Sequence, residues 1–197
     1  MTPQAESVLE LFRSTGAYLQ GHFRLTSGLH SAEYLQCALV LQHPAAAEKL
    51  GHMLASELRS YVSETITLVV SPALGGLIIG HEVARALGTR FIFTERDPAT
   101  AAMALRRGFS TGPGDAAVVV EDVITTGGST RDVVELLQAA GARVLAAGSI
   151  IDRSGGRAGV GVPRLALATL QVAAHYPDEC PVCKLGVPVV KPGSRPG

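Results

Sequence analysis

The sequence predicts an α/β fold: a parallel sheet flanked by helices, with a small N-terminal hood element and a mobile loop. Three observations carry this. The order strand, loop, helix, strand occurs twice, at residues 67–93 and again at 116–151. The strands are short unbroken apolar runs, such as Ala116 to Val120, which is the pattern of strands covered on both faces. A chain of 197 residues, 47% of them hydrophobic, suffices for one core of this kind, so a single domain is expected over 1–197.

In chain order, Val8, Leu9, Leu11 and Phe12 crowd one side of a helical wheel that Gly16 ends, predicting a short amphipathic helix. The Phe23, Leu25 alternation, a Ser27-Gly28 turn and Tyr34 to Leu41 read as short strands; with the helix they make up the hood, about 1–42. Pro44, tolerated in a first helical turn, opens a helix through Leu50, Met53, Leu54 and Leu58 to about Tyr61. Thr67 to Val70 is a strand leading into a loop from Ser71 to Gly76. A helix follows to Leu87, stopped by Gly88, and then the strand Phe91 to Phe93.

Asp97 to Asp115 mixes Pro98, Gly108, Pro113 and Gly114 with an Ala-rich middle, and reads as the mobile loop with a short strand at Met103 to Arg107. The second unit runs from Ala116 to Val120, through a loop at Asp122 to Thr130, to a helix carrying Val133, Val134, Leu136 and Leu137. Gly141 ends that helix, and Val144 to Ile151 is the last strand. The α/β core is therefore about 43–155. The remainder, 156–197, is a C-terminal tail, irregular from Pro177 with Pro181, Pro188, Pro192 and Pro196.

Composition excludes several partners. With 17 basic and 17 acidic side chains the net charge is zero, so the basic excess that nucleic acid or an anionic membrane would require is missing. No apolar stretch approaches the roughly 20 residues of a membrane span, and MTPQAESVLE has no basic region followed by an apolar run. Three cysteines are too few for a disulfide framework, so a cytoplasmic location is expected.

The chemistry concentrates in Val118-Val119-Val120-Glu121-Asp122-Val123-Ile124-Thr125-Thr126-Gly127-Gly128-Ser129-Thr130. A buried strand delivers two carboxylates and then a loop of hydroxyls and glycines at a helix N-terminus, where free N–H groups and the helix dipole favour a phosphate. Glu121 and Asp122 would repel that phosphate; they suit hydroxyl groups, or Mg2+ held through water. A sugar phosphate meets both demands. A bare turn and helix cap would account for the loop alone, but not for the acidic pair beside it. No GxxxxGK[ST] is present and no GxGxxG follows the first strand, which argues against a P-loop nucleotidase and a dinucleotide fold.

Four apolar residues, two acids and TTGGST resemble the phosphoribosyl diphosphate (PRPP) signature of the type I phosphoribosyltransferases. Phe23-Arg24-Leu25-Thr26-Ser27-Gly28-Leu29-His30-Ser31, with Tyr34 after it, is similar to the N-terminal signature of the orotate-using branch, the orotate phosphoribosyltransferases. Ser71-Pro72-Ala73-Leu74-Gly75-Gly76 resembles the pyrophosphate loop of that branch, and Ile150-Ile151-Asp152-Arg153 its late strand with an orotate-contacting arginine. The likeness spans about residues 20 to 155. It implies a type I phosphoribosyltransferase-like sheet and conversion of orotate and PRPP into orotidine 5′-monophosphate and pyrophosphate, with Mg2+, in pyrimidine synthesis. It also implies a homodimer with a shared active site.

Carried over by the resemblance, Glu121 and Asp122 face the ribose hydroxyls, and Val123, Ile124, Thr125, Thr126, Gly127, Gly128 and Ser129 belong to the phosphate-binding signature. Ala73, Leu74 and Gly75 meet the pyrophosphate. Thr125, Arg153, Ser27 and Gly28 close on the orotate, with Tyr34 beside them. A planar guanidinium at Arg153 suits a carboxylate or neighbouring carbonyl, whereas a surface salt bridge is its plainer role.

The chain departs from the family in its cations. Where many members carry lysine, this one has Thr26 and Gly75, and Asp97 to Asp115 holds neither Lys nor His. Arginine must then supply the charge, with Arg96 the first candidate as the catalytic cation and Arg106 and Arg107 behind it. An arginine neutralises pyrophosphate but is a poor proton donor, so electrostatic help is expected. Two further readings stay open: a PRPP-sensing regulatory protein on the same fold, and a purine phosphoribosyltransferase.

Cys180-Pro181-Val182-Cys183 has a metal-ligand spacing, with His175 upstream as a third ligand and Cys37 or a carboxylate as a fourth. A reduced pair in a Pro-rich tail is the stronger reading and zinc the weaker. No metal ligated directly by the active site is expected, only Mg2+ arriving with PRPP. His22, His30, His43, His52 and His81 show no metal spacing, and His81 is expected on a helix surface.

Overall fold

The structure, a computed structural model, describes residues 2–25 and 27–192, so Thr26 and Pro196 lie outside the described residues. Helix α1, Pro3–Ser14, starts where the Thr2 hydroxyl accepts the Ala5 N–H at 3.2 Å and buries Val8, Leu9 and Phe12. Strands β1 (Tyr18–Arg24) and β2 (His30–Leu35) form an antiparallel hairpin. The segment expected as a strand to Leu41 is instead helix α2, Cys37–Leu41. Its buried residues Cys37, Val40 and Leu41 recur at helical rather than strand spacing. Helix α3 is Pro44–Tyr61, as predicted.

The core follows with β3 (Leu68–Pro72), α4 (Gly76–Leu87), β4 (Arg90–Arg96), β5 (Met103–Leu105), β6 (Ala116–Ile124), α5 (Gly128–Ala139), β7 (Arg143–Asp152) and β8 (Arg164–Thr169). The sheet order is β5-β4-β3-β6-β7-β8, parallel except for the edge strand β5. Successive residues of β6 point to opposite faces. Val118 and Val120 join the core under α1 to α4, while Ala117 and Val119 join the core under α5. The chain leaves β3 toward β4 on one side and β6 toward β7 on the other. Strand order therefore reverses between β3 and β6, and a crevice opens at their carboxyl ends.

Three boundaries differ from the sequence reading. Strand β6 continues through the acids to Ile124, because β7 pairs with it as far as Ile124 and Asp152; the loop expected at Asp122 to Thr130 shrinks to residues 125–127. The stretch assigned to a tail contributes β8, whose Leu167 and Ala168 complete the core beside β7. Within Asp97 to Asp115 the short strand expected from Met103 is present as β5, which returns along β4 as a hairpin. Its tight turn is held by the Ala99 and Thr100 N–H groups donating to Asp97 Oδ1 at 2.9 and 3.0 Å. Beyond β8, Cys180 caps a single helical turn, α6 (Pro181–Lys184), where only irregular chain was expected.

Candidate active site

A cleft of about 770 Å³ lies between the carboxyl ends of β6 and β7, the β1–β2 hairpin and the segment after β8. Its walls carry Asp122, Thr125, Thr126, Ser27, Tyr34 and Arg153. Of the residues proposed from sequence, Val123 also lines it. Glu121, Ala73, Leu74, Gly75, Arg96, Gly127, Gly128 and Ser129 lie outside its wall, and so does Gly28, whose φ of 84° makes the turn that brings Ser27 in. The Ile124 side chain is buried in the core and can contribute only backbone.

The phosphate-loop residues owe their shape to position 127. Gly127 takes φ 80° at the N-cap of α5, and a Cβ there would come within 2.9 Å of Val160, so only glycine fits without strain. No side chain caps the helix, which leaves its first N–H groups open beyond the loop. The second loop, residues 73–75, leaves β3 through a cis Ala73-Leu74 peptide, and the Ala73 N–H donates to the Thr94 carbonyl at 2.8 Å. Gly75 abuts the acidic pair so closely that a Cβ on it would lie 2.5 Å from Asp122 Oδ1. The two loops thus meet at Asp122.

The acids differ in environment. Burial pushes the Glu121 carboxyl up to about 7, opposed by the hydroxyl that Thr130 donates, which favours the anion, and reinforced by the neighbouring Asp122, which disfavours it. Burial also raises Asp122, opposed by the Val123 N–H. Across the cleft, burial depresses the Arg153 guanidinium, whose carbon sits 5.7 Å from the centre of the Tyr34 ring. Its Nε–H is buried with no hydrogen-bond partner among the described residues. Arg153 is aimed there by a turn built on Asp152, which accepts the Ser154 and Gly156 N–H groups at 2.7 and 3.0 Å.

Of the three candidate arginines, Arg107 is held bidentate by Glu95 at 2.8 Å and lies over Phe93. Arg96 pairs with Asp132 at 3.0 Å and comes within 3.5 Å of Ser129 Oγ at the start of α5. Arg106 is exposed just beyond the end of β5. Arg96 is therefore the arginine that reaches the phosphate-loop helix.

The chain matches the phosphoribosyl transferase domain over residues 38–160. It is 51% identical to the orotate phosphoribosyltransferase of Pelotomaculum thermopropionicum over 190 residues, covering 96% of this chain and 97% of that one. The chain belongs to the orotate phosphoribosyltransferase family. The crystal structure of the family member from Aeropyrum pernix superposes with a TM-score of 0.68 at 25% identity, over 83% of this chain and 94% of that one. An adenine phosphoribosyltransferase from Trypanosoma brucei, solved with AMP, pyrophosphate and ribose-5-phosphate, shares the fold with a TM-score of 0.62 at 17% identity, over 85% and 80% of the two chains.

Sequence reasoning missed part of this orotate phosphoribosyltransferase cleft. Arg157, Val172 and Ala174 line it, and all three come from segments read as tail. The signal for Arg157 was available: Gly155 and Gly156, both at positive φ, follow a strand that ends in an acid. Cys37, offered as a zinc ligand, lies instead in the cleft wall, its Sγ 3.9 Å from the Asp122 carbonyl. His175, offered as the third ligand, meets the hairpin through backbone bonds with His30, and its ring does not join the His22, His30, Cys180 and Cys183 side chains. His81 is largely exposed on α4, as expected.

Proposed function

We infer that the protein transfers the phosphoribosyl group of PRPP to orotate, giving orotidine 5′-monophosphate and pyrophosphate in pyrimidine synthesis. The observation that supports this most is the desolvated Arg153 guanidinium, with an unpartnered Nε–H beside the Tyr34 ring, in the same cleft as Thr125 and Thr126. That end suits a flat base bearing a carboxylate, because a planar fork over an aromatic wall recognises both charge and plane. The other end suits a phosphate, because open N–H groups and hydroxyls converge at the start of α5.

In this reading Thr125 to Ser129 hold the 5′-phosphate, Asp122 takes the ribose hydroxyls, and Ala73, Leu74 and Gly75 receive the pyrophosphate. Glu121 stands behind Asp122 with one oxygen already engaged by Thr130. Thr125, Ser27 and Arg153 orient the orotate so that its ring nitrogen lies in line with the anomeric carbon, and Gly28 shapes the turn. As the nitrogen–carbon bond forms, the bond from that carbon to the pyrophosphate oxygen breaks, the leaving group takes the electron pair, and the proton that the ring nitrogen carried passes to water or to the departing pyrophosphate. Negative charge grows on the pyrophosphate, so cations placed in advance lower the barrier. Arg96 supplies one, since its ion pair with Asp132 is exposed and can exchange. Asp122 offers oxygen donors and is in no salt bridge among the described residues, which suits a hard divalent cation held through water. Mg2+ bound with PRPP would add charge neutralisation at the leaving group.

The protein acts as a cytoplasmic homodimer with a shared site, on the strength of the family alone; sedimentation as a monomer at working concentration would overturn that part. Neither nucleic acid nor membrane is a partner in this reading. Among the described residues no helix is long and apolar enough to cross a membrane. The test is the ultraviolet absorbance of orotate with PRPP and Mg2+, with adenine and guanine in parallel. Orotate loss that requires both co-reactants is expected. PRPP binding without turnover of any base would identify a sensor instead, and turnover of a purine alone would reassign the substrate.

A further inference from the structure

Away from the cleft, the β1–β2 hairpin and the C-terminal segment bring four metal-ligating side chains together. His22 and His30 come from the two strands, and Cys180 and Cys183 from the cap and first turn of α6. Their ligand atoms all lie within 4.8 Å of one another, and His22, His30 and Cys180 are buried. His22 Nε2 is 2.9 Å from His30 Nδ1 and 3.5 Å from each sulfur, while His30 Nδ1 is 3.2 Å from Cys183 Sγ. A tetrahedral zinc, with bonds of about 2.0 Å to nitrogen and 2.3 Å to sulfur, spaces its ligand atoms roughly 3.3 to 3.8 Å apart.

We propose that His22 Nε2, His30 Nδ1, Cys180 Sγ and Cys183 Sγ bind one structural Zn2+ that staples the C-terminal segment to the hairpin over the cleft. Hydrogen bonding alone is a poor account of the cluster. The His22 Nδ1–H donates to the Val187 carbonyl at 2.7 Å, which leaves Nε2 a single lone pair. Three atoms crowd that lone pair, and only one can donate to it at a time. One cation at the centre satisfies all four ligands together. The same Val187 carbonyl is the outer partner that zinc-bound imidazoles characteristically have, fixing tautomer and ring orientation. Cys180 and Cys183 sit three apart around one turn, so both sulfurs reach the same point. Two nitrogens and two thiolates, with no fifth donor among the described residues, make a closed site, structural rather than catalytic.

The backbone already prepares the contact on both sides of the cluster. His30 and His175 exchange N–H to carbonyl bonds at 2.8 and 2.9 Å, and Val190 bonds His22 and Arg24 at 2.8 Å. Metal binding would lock this seam, and with it the hairpin that carries Ser27 and Tyr34.

The test is the metal content of tag-free protein, made with zinc supplied and purified under reducing conditions. One zinc per chain is expected, lost in Cys180→Ser and Cys183→Ser and retained in Cys37→Ser. Cobalt exchanged into the wild-type protein should show the thiolate charge-transfer and intense visible bands of a tetrahedral S2N2 site, which keeps the test decisive if a ligand variant fails to fold. Zinc removal should lower Tm and expose Cys180 and Cys183 to thiol reagent. Wild-type protein with well under one metal per chain and freely reacting Cys180 and Cys183, or with a Cys180–Cys183 disulfide, would overturn the proposal. So would undiminished zinc in both serine variants. None of these readouts depends on which base the enzyme uses.

Discussion

Replacing Asp152 with alanine should cost more stability than any change on the surface, and the size follows from its contacts. The side chain is fully buried at the end of β7. One oxygen accepts the Ser154 N–H and hydroxyl at 2.7 and 2.6 Å; the other accepts the Gly156 N–H at 3.0 Å and an Arg164 guanidinium N–H. Arg164 itself is only 13% exposed, so the substitution strands a charge. Breaking a buried pair in this way costs about 3–5 kcal/mol. For a chain of this length, at about 2–4 °C per kcal/mol, Tm should fall by roughly 8–16 °C around a 4 kcal/mol centre. Asp152→Asn keeps the oxygen facing Ser154 but turns an NH2 toward Gly156 and Arg164, donor against donor, and should lose a large part of the same amount.

The pH dependence separates this from a simple packing loss. Burial alone would raise the Asp152 carboxyl, but the Ser154 hydroxyl, Arg164 and the Ser154 N–H outweigh it and hold it below the ordinary range. Its contribution is therefore present above about pH 4, the unfolded-state value, and is lost as pH falls through the folded value. Urea titrations at neutral and acid pH should show the deficit of the variant shrinking in acid. A loss under about 1 kcal/mol in both variants at neutral pH, within the ordinary range of point substitutions, would refute the reasoning.

Asp122→Asn should lower turnover at least about tenfold with an unchanged Tm, read by orotate absorbance; full activity would remove Asp122 from the site. Arg153→Ala should likewise cost about tenfold or more, and Arg153→Lys should not restore it, since an ammonium lacks the planar fork; KM for orotate is the informative parameter. Gly127→Ala must adopt φ near 80° against Val160, and should raise KM for PRPP and destabilise by about 1–3 kcal/mol in urea. With its folded value raised to about 7, Glu121 stabilises the fold while protonated. Wild-type stability should therefore decline from about pH 4, the unfolded-state value, to about pH 7, and Glu121→Gln should flatten that decline in denaturation midpoints.

The parts legible in the sequence were those written in local pattern. Unbroken apolar runs marked β3, β6 and β7, Pro44 marked the start of α3, and the acids followed by TTGGST marked the phosphate loop. Helix α2 was misread because five residues span too little of either period to distinguish helix from strand. Strand β8 was missed because Arg164 to Thr169 alternates weakly and is recognisable mainly by its partner β7. Arg153 was found by likeness of sequence, but its unpaired Nε–H and its Tyr34 neighbour belong to tertiary structure. The Cys180, Cys183 pair was visible while its histidine partners were not. His22 and His30 become neighbours only once a hairpin brings two strands side by side, and sequence spacing carries no metal signature for that.

The seam between the hairpin and residues 175–190 bears on the order in which the molecule is made. Every strand of the six-stranded sheet has left the ribosome once Thr169 has emerged, so the core can fold during synthesis. The hairpin, although made before any strand of that sheet, has backbone partners at His175 and Val190, 145 or more residues downstream of the residues they bond. Strands β1 and β2 therefore wait for residues made after the whole sheet, and the roof of the cleft is set in place after the core. A nascent chain arrested after β8 would carry a finished sheet with an open, substrate-blind floor.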